Sequence, residues 1–89
     1  IETFFTEQKG DADKKLAELI QNAVIDYTEA EDRGVKTADY TVLVRTEMPA
    51  VLIETGFLTN STECELLKDE EYQKKLAEGI AEGIILYLN

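Results

Sequence analysis

Glu54 closes a run of strand type. In "PAVLIETGF" the apolar residues Ala50, Val51, Leu52 and Ile53 lead directly into this carboxylate, and Thr55 and Gly56 follow it. A charge buried without a partner is strongly unfavourable, so either something offsets it or the strand has left the core at that point. By residue type Glu54 is a candidate for acid-base chemistry; a structural, capping or solvated carboxylate is the alternative that the residue alone leaves open. Glu2 also lies in a strand-like stretch, where it reads as an edge or solvent-facing residue, because one carboxylate without other ligand types nearby makes no metal site. Thr55, Thr59 and Asn60 read as turn-makers or as the lining of a cleft mouth. The lone cysteine, Cys64, has no intrachain disulfide partner and reads as a packing residue. No histidine is present, which excludes a Ser-His-Asp triad or a Cys-His pair within the chain and removes the commonest zinc ligand.

The elements that must position these residues follow from periodicity. Ile1 to Phe5 reads as a strand, and "TEQKGD" supplies a turn ending in Gly10 with Asp11 as the N-cap. From about Asp11 to Tyr27, Leu16, Leu19, Ile20, Ala23, Val24 and Tyr27 fall on one helical face, with Gln21 and its charged neighbours on the other. "EAEDRGVKTAD" reads as a charged connection, "YTVLVR" (Tyr40 to Arg45) as a second strand, and Ala50 to Glu54 as a third after the break at Pro49. A short helix is expected at about Ser61 to Lys68 and a longer one from about Asp69 to Leu88, with Tyr72, Leu76, Ile80, Ile84 and Leu88 every fourth residue. Gly79 and Gly83 within it each cost about 1 kcal/mol, and close approach to the sheet is the expected compensation.

Composition bounds the class. With 89 residues, 44% of them hydrophobic, the chain is at most one small globular domain, and no stretch reaches membrane-spanning length. Nineteen acidic against nine basic residues leave a formal charge of −10, which argues against nucleic acid or anionic membrane as partner. Strands alternating with helices argue for an α/β layer structure. The chain opens inside a strand and shows no signal peptide, so it reads as a piece of something longer whose compartment neither end reveals.

The segment "RGVKTADYTVLVRTEMPAVLIETGFLTNSTECELL", followed by "EYQKKLAEGIAEGIILYL", resembles the C-terminal half of zinc-dependent N-acetylmuramoyl-L-alanine amidases of the amidase 3 type, which trim bacterial peptidoglycan. "MPAVLIETGFLTN" is its most specific part, and "IETFF" is similar to the strand that opens this half. The resemblance spans essentially the whole chain but about half of a catalytic domain. It implies a mixed α/β sheet flanked by helices, with residues 1–89 as the C-terminal part of a single three-layer α/β/α catalytic domain. It also implies zinc held by two histidines and a glutamate, all in the half that precedes Ile1, so no metal ligand is expected in this chain.

Glu54 matches the family's catalytic glutamate in the pattern VE.GF.SN. The implied reaction is hydrolysis of the amide between N-acetylmuramic acid and L-alanine of the stem peptide, with a zinc-activated water and Glu54 as general base and acid. Peptidoglycan is the implied partner, an extracellular or cell-wall location follows from it, and autolysins and endolysins are the implied kinds of enzyme. The piece alone is expected to be inactive, with the N-terminal half as a separate chain among the partners considered. Substrate-binding residues are not legible: Arg33 and Lys36 read as solvated loop residues, with a stem-peptide carboxylate as the alternative partner. Val44 stands where many relatives carry a basic residue, with Arg45 one place later. A non-catalytic regulatory or wall-binding relative is the rival reading.

Overall fold

The computed structural model describes residues 1–57 and 59–89. Along the chain they form β1 (Glu2–Phe5), α1 (Ala12–Thr28), β2 (Val35–Thr37), α2 (Thr41–Val44), β3 (Leu52–Glu54), α3 (Ser61–Lys68) and α4 (Glu70–Leu88). The central strand is β1, paired in parallel with β2 and antiparallel with β3. A parallel neighbour requires a crossover, and α1 supplies it. The outcome is a mixed sheet with helices, as expected.

Alternation along β1 sends Thr3 and Phe5 to a buried face and leaves Glu2 and Phe4 half-buried on the other. The core joins Leu16, Ile20 and Val24 of α1 to Tyr72 and Leu76 of α4, with Val51 and Ile53 packed against them. Register sets Phe4 opposite Leu52 and Glu2 opposite Glu54, so these four share the second face. There the Phe4 ring meets Tyr40 edge-on, with centroids 5.8 Å apart. Leu52 and Glu54 are exposed, so only alternate residues of this apolar run, Val51 and Ile53, meet the core.

The second expected strand is a helix. Thr41–Val44 make one helical turn in which Leu43 alone is buried, while Val42 is 61% exposed. A run as short as Val42, Leu43 and Val44 satisfies either a buried strand or a single turn, and periodicity cannot separate them. The true β2 lies within the segment read as a connection. Gly34 turns the chain at φ +81°, the Asp32 carboxylate accepts its N–H at 2.9 Å, and Val35 to Thr37 then pair with β1.

The helices sit where their periodicity puts them, with three corrections. Gln21 is buried rather than solvated: its amide donates to the Ile1 carbonyl at 2.7 Å and to Asp32 at 2.8 Å, and its oxygen accepts from the Thr3 hydroxyl at 2.8 Å. Asp11 stands at the N-cap position without a side-chain capping bond. The glycines of α4 meet α1, not the sheet. A Cβ on Gly79 would fall 2.7 Å from the Val24 Cα, and one on Gly83 would fall 2.5 Å from the Ile20 Cα. At 3.6 residues per turn the buried face of α4 therefore runs through Tyr72, Leu76, Gly79 and Gly83, leaving Ile84 and Leu88 exposed.

The loop before β3 is held by one lysine. Lys9 Nζ donates to the Thr46 hydroxyl at 2.8 Å, to the Thr46 carbonyl at 3.0 Å and to the Met48 carbonyl at 3.1 Å. It also pairs with the buried Asp13 carboxylate at 3.1 Å, which accepts the Ala50 N–H at 3.3 Å. Buried charge is thus compensated at the entrance to β3.

Candidate active site

β3 ends at Glu54, whose side chain is exposed. Among the described residues no salt bridge claims its carboxylate. The charge at the strand's exit has therefore left the core. Directly opposite stands Glu2, at the start of the central strand, and directly opposed antiparallel residues have Cβ atoms about 4.5–5.5 Å apart. Two like charges so placed repel, but Lys36 Nζ lies 2.6 Å from Glu2 Oε2 and offsets one of them. Glu2 is accordingly neither on an edge strand nor solvent-facing: its side chain is only 14% exposed, and Lys36 is bound to it rather than free in a loop.

The turn beyond Glu54 has its own support. Glu63, in the first turn of α3, accepts the Phe57 N–H at 3.1 Å and receives Arg33 through both carboxylate oxygens, Nη1 to Oε1 and Nη2 to Oε2, each at 2.9 Å. The guanidinium also lies over the Phe57 ring, 4.5 Å from its centroid. The bond from Arg33, followed by the Phe57 N–H, holds the Glu63 carboxyl down at about 2. Arg33, read as a solvated loop residue, is thus a structural partner of α3. Thirty positions separate it from Glu63, beyond the reach of any local pattern. The sequence offers only the charge types as a signal.

The remaining candidates divide. Asn60 caps α3, its side chain accepting the Glu63 N–H at 3.1 Å, so its turn-making role holds. Thr55 and Asn60 help line a cleft of about 310 Å³ with Arg33, Glu63 and Tyr72, whereas Glu54 does not line it. Thr59 is exposed, and Cys64 is a half-buried free thiol in α3. Val44 is half-buried at the end of α2, with Arg45 exposed after it.

The sequence has no histidine, and among the described residues no group of three or more Cys, Asp or Glu converges on one point. The Glu2 and Glu54 pair with its lysine does not amount to a zinc ligand set. No helix of the described residues is long and apolar enough to cross a membrane.

The sequence profile of the N-acetylmuramoyl-L-alanine amidases matches residues 1–86. The chain belongs to this family. It is 42% identical over 74 residues to the N-acetylmuramoyl-L-alanine amidase LytC of Bacillus subtilis strain 168, a match covering 83% of this chain and 15% of LytC. The uncharacterized protein YqiI of the same organism is 41% identical over 87 residues, 97% of this chain and 42% of YqiI. The crystal structure of an N-acetylmuramoyl-L-alanine amidase from Clostridium difficile 630 superposes with a TM-score of 0.94 at 40% identity, over 98% of this chain and 47% of that one. This amidase-family chain therefore spans less than half the length of each. Its mixed sheet and helices match the C-terminal half of the amidase catalytic domain, as the sequence implied.

Proposed function

We propose that this chain serves in peptidoglycan hydrolysis, as the C-terminal part of a single catalytic domain that cleaves the amide between N-acetylmuramic acid and L-alanine of the stem peptide, with Glu54 as general base and then general acid. The observation that carries the reading is the exposed Glu54 carboxylate at the end of β3, unclaimed by any salt bridge among the described residues. Sites of open α/β sheets form beyond the carboxyl ends of their strands, and Glu54 has that position.

Glu54 takes a proton from the attacking water as the water's oxygen bonds to the amide carbonyl carbon. It then gives that proton to the nitrogen as the C–N bond breaks, so that L-alanine departs as an amine and the lactyl group retains the new carboxylate. Amide nitrogen is a poor leaving group unless protonated, so the second transfer, from the Glu54 carboxyl to the nitrogen, is what lets the C–N bond break. The zinc implied for the family would be held by residues outside the 89, and when bound it would lower the pKa of the attacking water. The location that follows from the substrate is the cell wall or the extracellular space.

The bond itself is the test. Purified peptidoglycan digested by the full-length protein is expected to yield free L-alanine amino termini and lactyl carboxylates in equal amounts. New reducing sugar ends, or cleavage elsewhere in the stem peptide, would overturn the assignment.

A further inference from the structure

We infer that Arg33 and Glu63 are positioning residues for Glu54, a role that rests on the proposed function. β-pairing stops at the Glu54–Glu2 pair, so no ladder bond fixes the chain through Thr55, Gly56 and Phe57. The Glu63 carboxylate holds that turn instead. One of its oxygens takes the Phe57 N–H while both take the guanidinium, a fork-to-fork contact that fixes direction as well as distance. Gly56 lies so close beneath that a Cβ there would stand 3.3 Å from the Glu63 Cβ.

Arg33 connects this turn to the other side of the site. Its N–H donates to the Ile1 carbonyl at 2.9 Å, next to Glu2, and its own carbonyl accepts Lys36 Nζ at 2.7 Å, the same ammonium that binds Glu2. One residue thus ties the chain leaving Glu54 to the strand that carries the opposing carboxylate. A proton-transferring carboxylate works only within hydrogen-bond reach of its partner, and a displacement of about 1 Å can cost on the order of 100-fold in rate.

The experiment uses the full-length protein, with the amide exchange of Phe57 followed by NMR beside steady-state kinetics and thermal unfolding. Glu63→Ala removes the acceptor of the Phe57 N–H. It is expected to accelerate that exchange, to lower kcat by about 10- to 100-fold and to leave KM within about twofold. Arg33→Lys keeps the charge and loses the fork, and is expected to move both readouts in the same direction by less. It also serves if Glu63→Ala does not fold. The swap Arg33→Glu with Glu63→Arg restores opposite charges but no carboxylate at position 63, so thermal stability is expected to recover and kcat is not.

Recovery of kcat in the swap would overturn the inference. So would wild-type kcat in a folded variant whose Phe57 exchange is accelerated. If the wild-type protein itself cleaves no muramoyl amide, the proposed function fails, and the exchange data still report whether the clamp holds the turn.

Discussion

Gly83→Ala isolates the packing of α4 on α1. The added methyl would sit 2.5 Å from the Ile20 Cα, 2.8 Å from its Cγ1 and 2.9 Å from its backbone nitrogen. Carbon atoms in contact prefer about 3.5–4.0 Å, so the helices must separate by roughly 1 Å. Two of the three clashing atoms belong to the α1 backbone, which cannot rotate away. Alanine recovers about 1 kcal/mol of helix propensity, against an overpacking cost of about 1–3 kcal/mol that the backbone clash pushes toward its upper end. The net expectation is a destabilisation of about 1–2 kcal/mol, or about 2–8 °C in Tm for a domain of roughly 150–250 residues. Differential scanning calorimetry of the full-length protein reads it. Trimming the neighbour in Gly83→Ala with Ile20→Ala is not expected to restore stability, since the clash with backbone remains. An unchanged or raised Tm in the single variant, or full rescue in the double, would refute the close helix crossing.

Two other expectations concern charge. Asp13→Ala leaves the largely covered Lys9 ammonium without its counter-charge and the Ala50 N–H without its acceptor, and a loss of roughly 3 kcal/mol in urea unfolding is expected. Lys9→Met, which removes the cation instead, should be compared with it; a loss below about 1 kcal/mol for Asp13→Ala would show the pair to be a surface one. The second is a pH dependence. Glu63 sits at about 2 in the folded protein against an ordinary 4.5, chiefly through Arg33, and Asp32 is also lowered, first by the Gln21 amide and then by the Gly34 N–H. Depressed folded values mean that this stability is fully present above the unfolded value and lost as pH falls through about 4.5 toward about 2. Arg33→Gln should flatten part of that fall in a pH series of unfolding midpoints. An unchanged slope would contradict the role given to the pair.

What was legible in the sequence was whatever short-range spacing dictates. Leu16, Ile20 and Val24 mark α1, Tyr72 and Leu76 mark α4, and all five are in the core. Glu54 could be singled out because a charge ending an apolar strand is rare enough to demand a reason. Thr41–Val44 and Val35–Thr37 are not legible because so short a run as Val42 to Val44 has no measurable period, and because β2 owes its existence to pairing with β1 rather than to its own composition. The burial of Gln21 is not legible from its place on the polar face, because it depends on Ile1, Thr3 and Asp32 meeting around it. The Arg33 and Glu63 clamp and the Glu2 and Lys36 pair are likewise products of tertiary closure. Gly79 and Gly83 announced a close approach, but their partner, a helix, was knowable only from the fold.

The central claim is that Glu54 transfers the proton. Its most direct measurement is the single-turnover rate of Glu54→Gln in the full-length protein on a soluble muramoyl-L-alanyl peptide, with bound zinc quantified in the same sample. Glutamine keeps the shape and loses the base, so the rate is expected to fall by about 100- to 10,000-fold while the zinc content stays at the wild-type level. A rate within about tenfold of wild type at equal zinc content would contradict the assignment of Glu54 as the catalytic base.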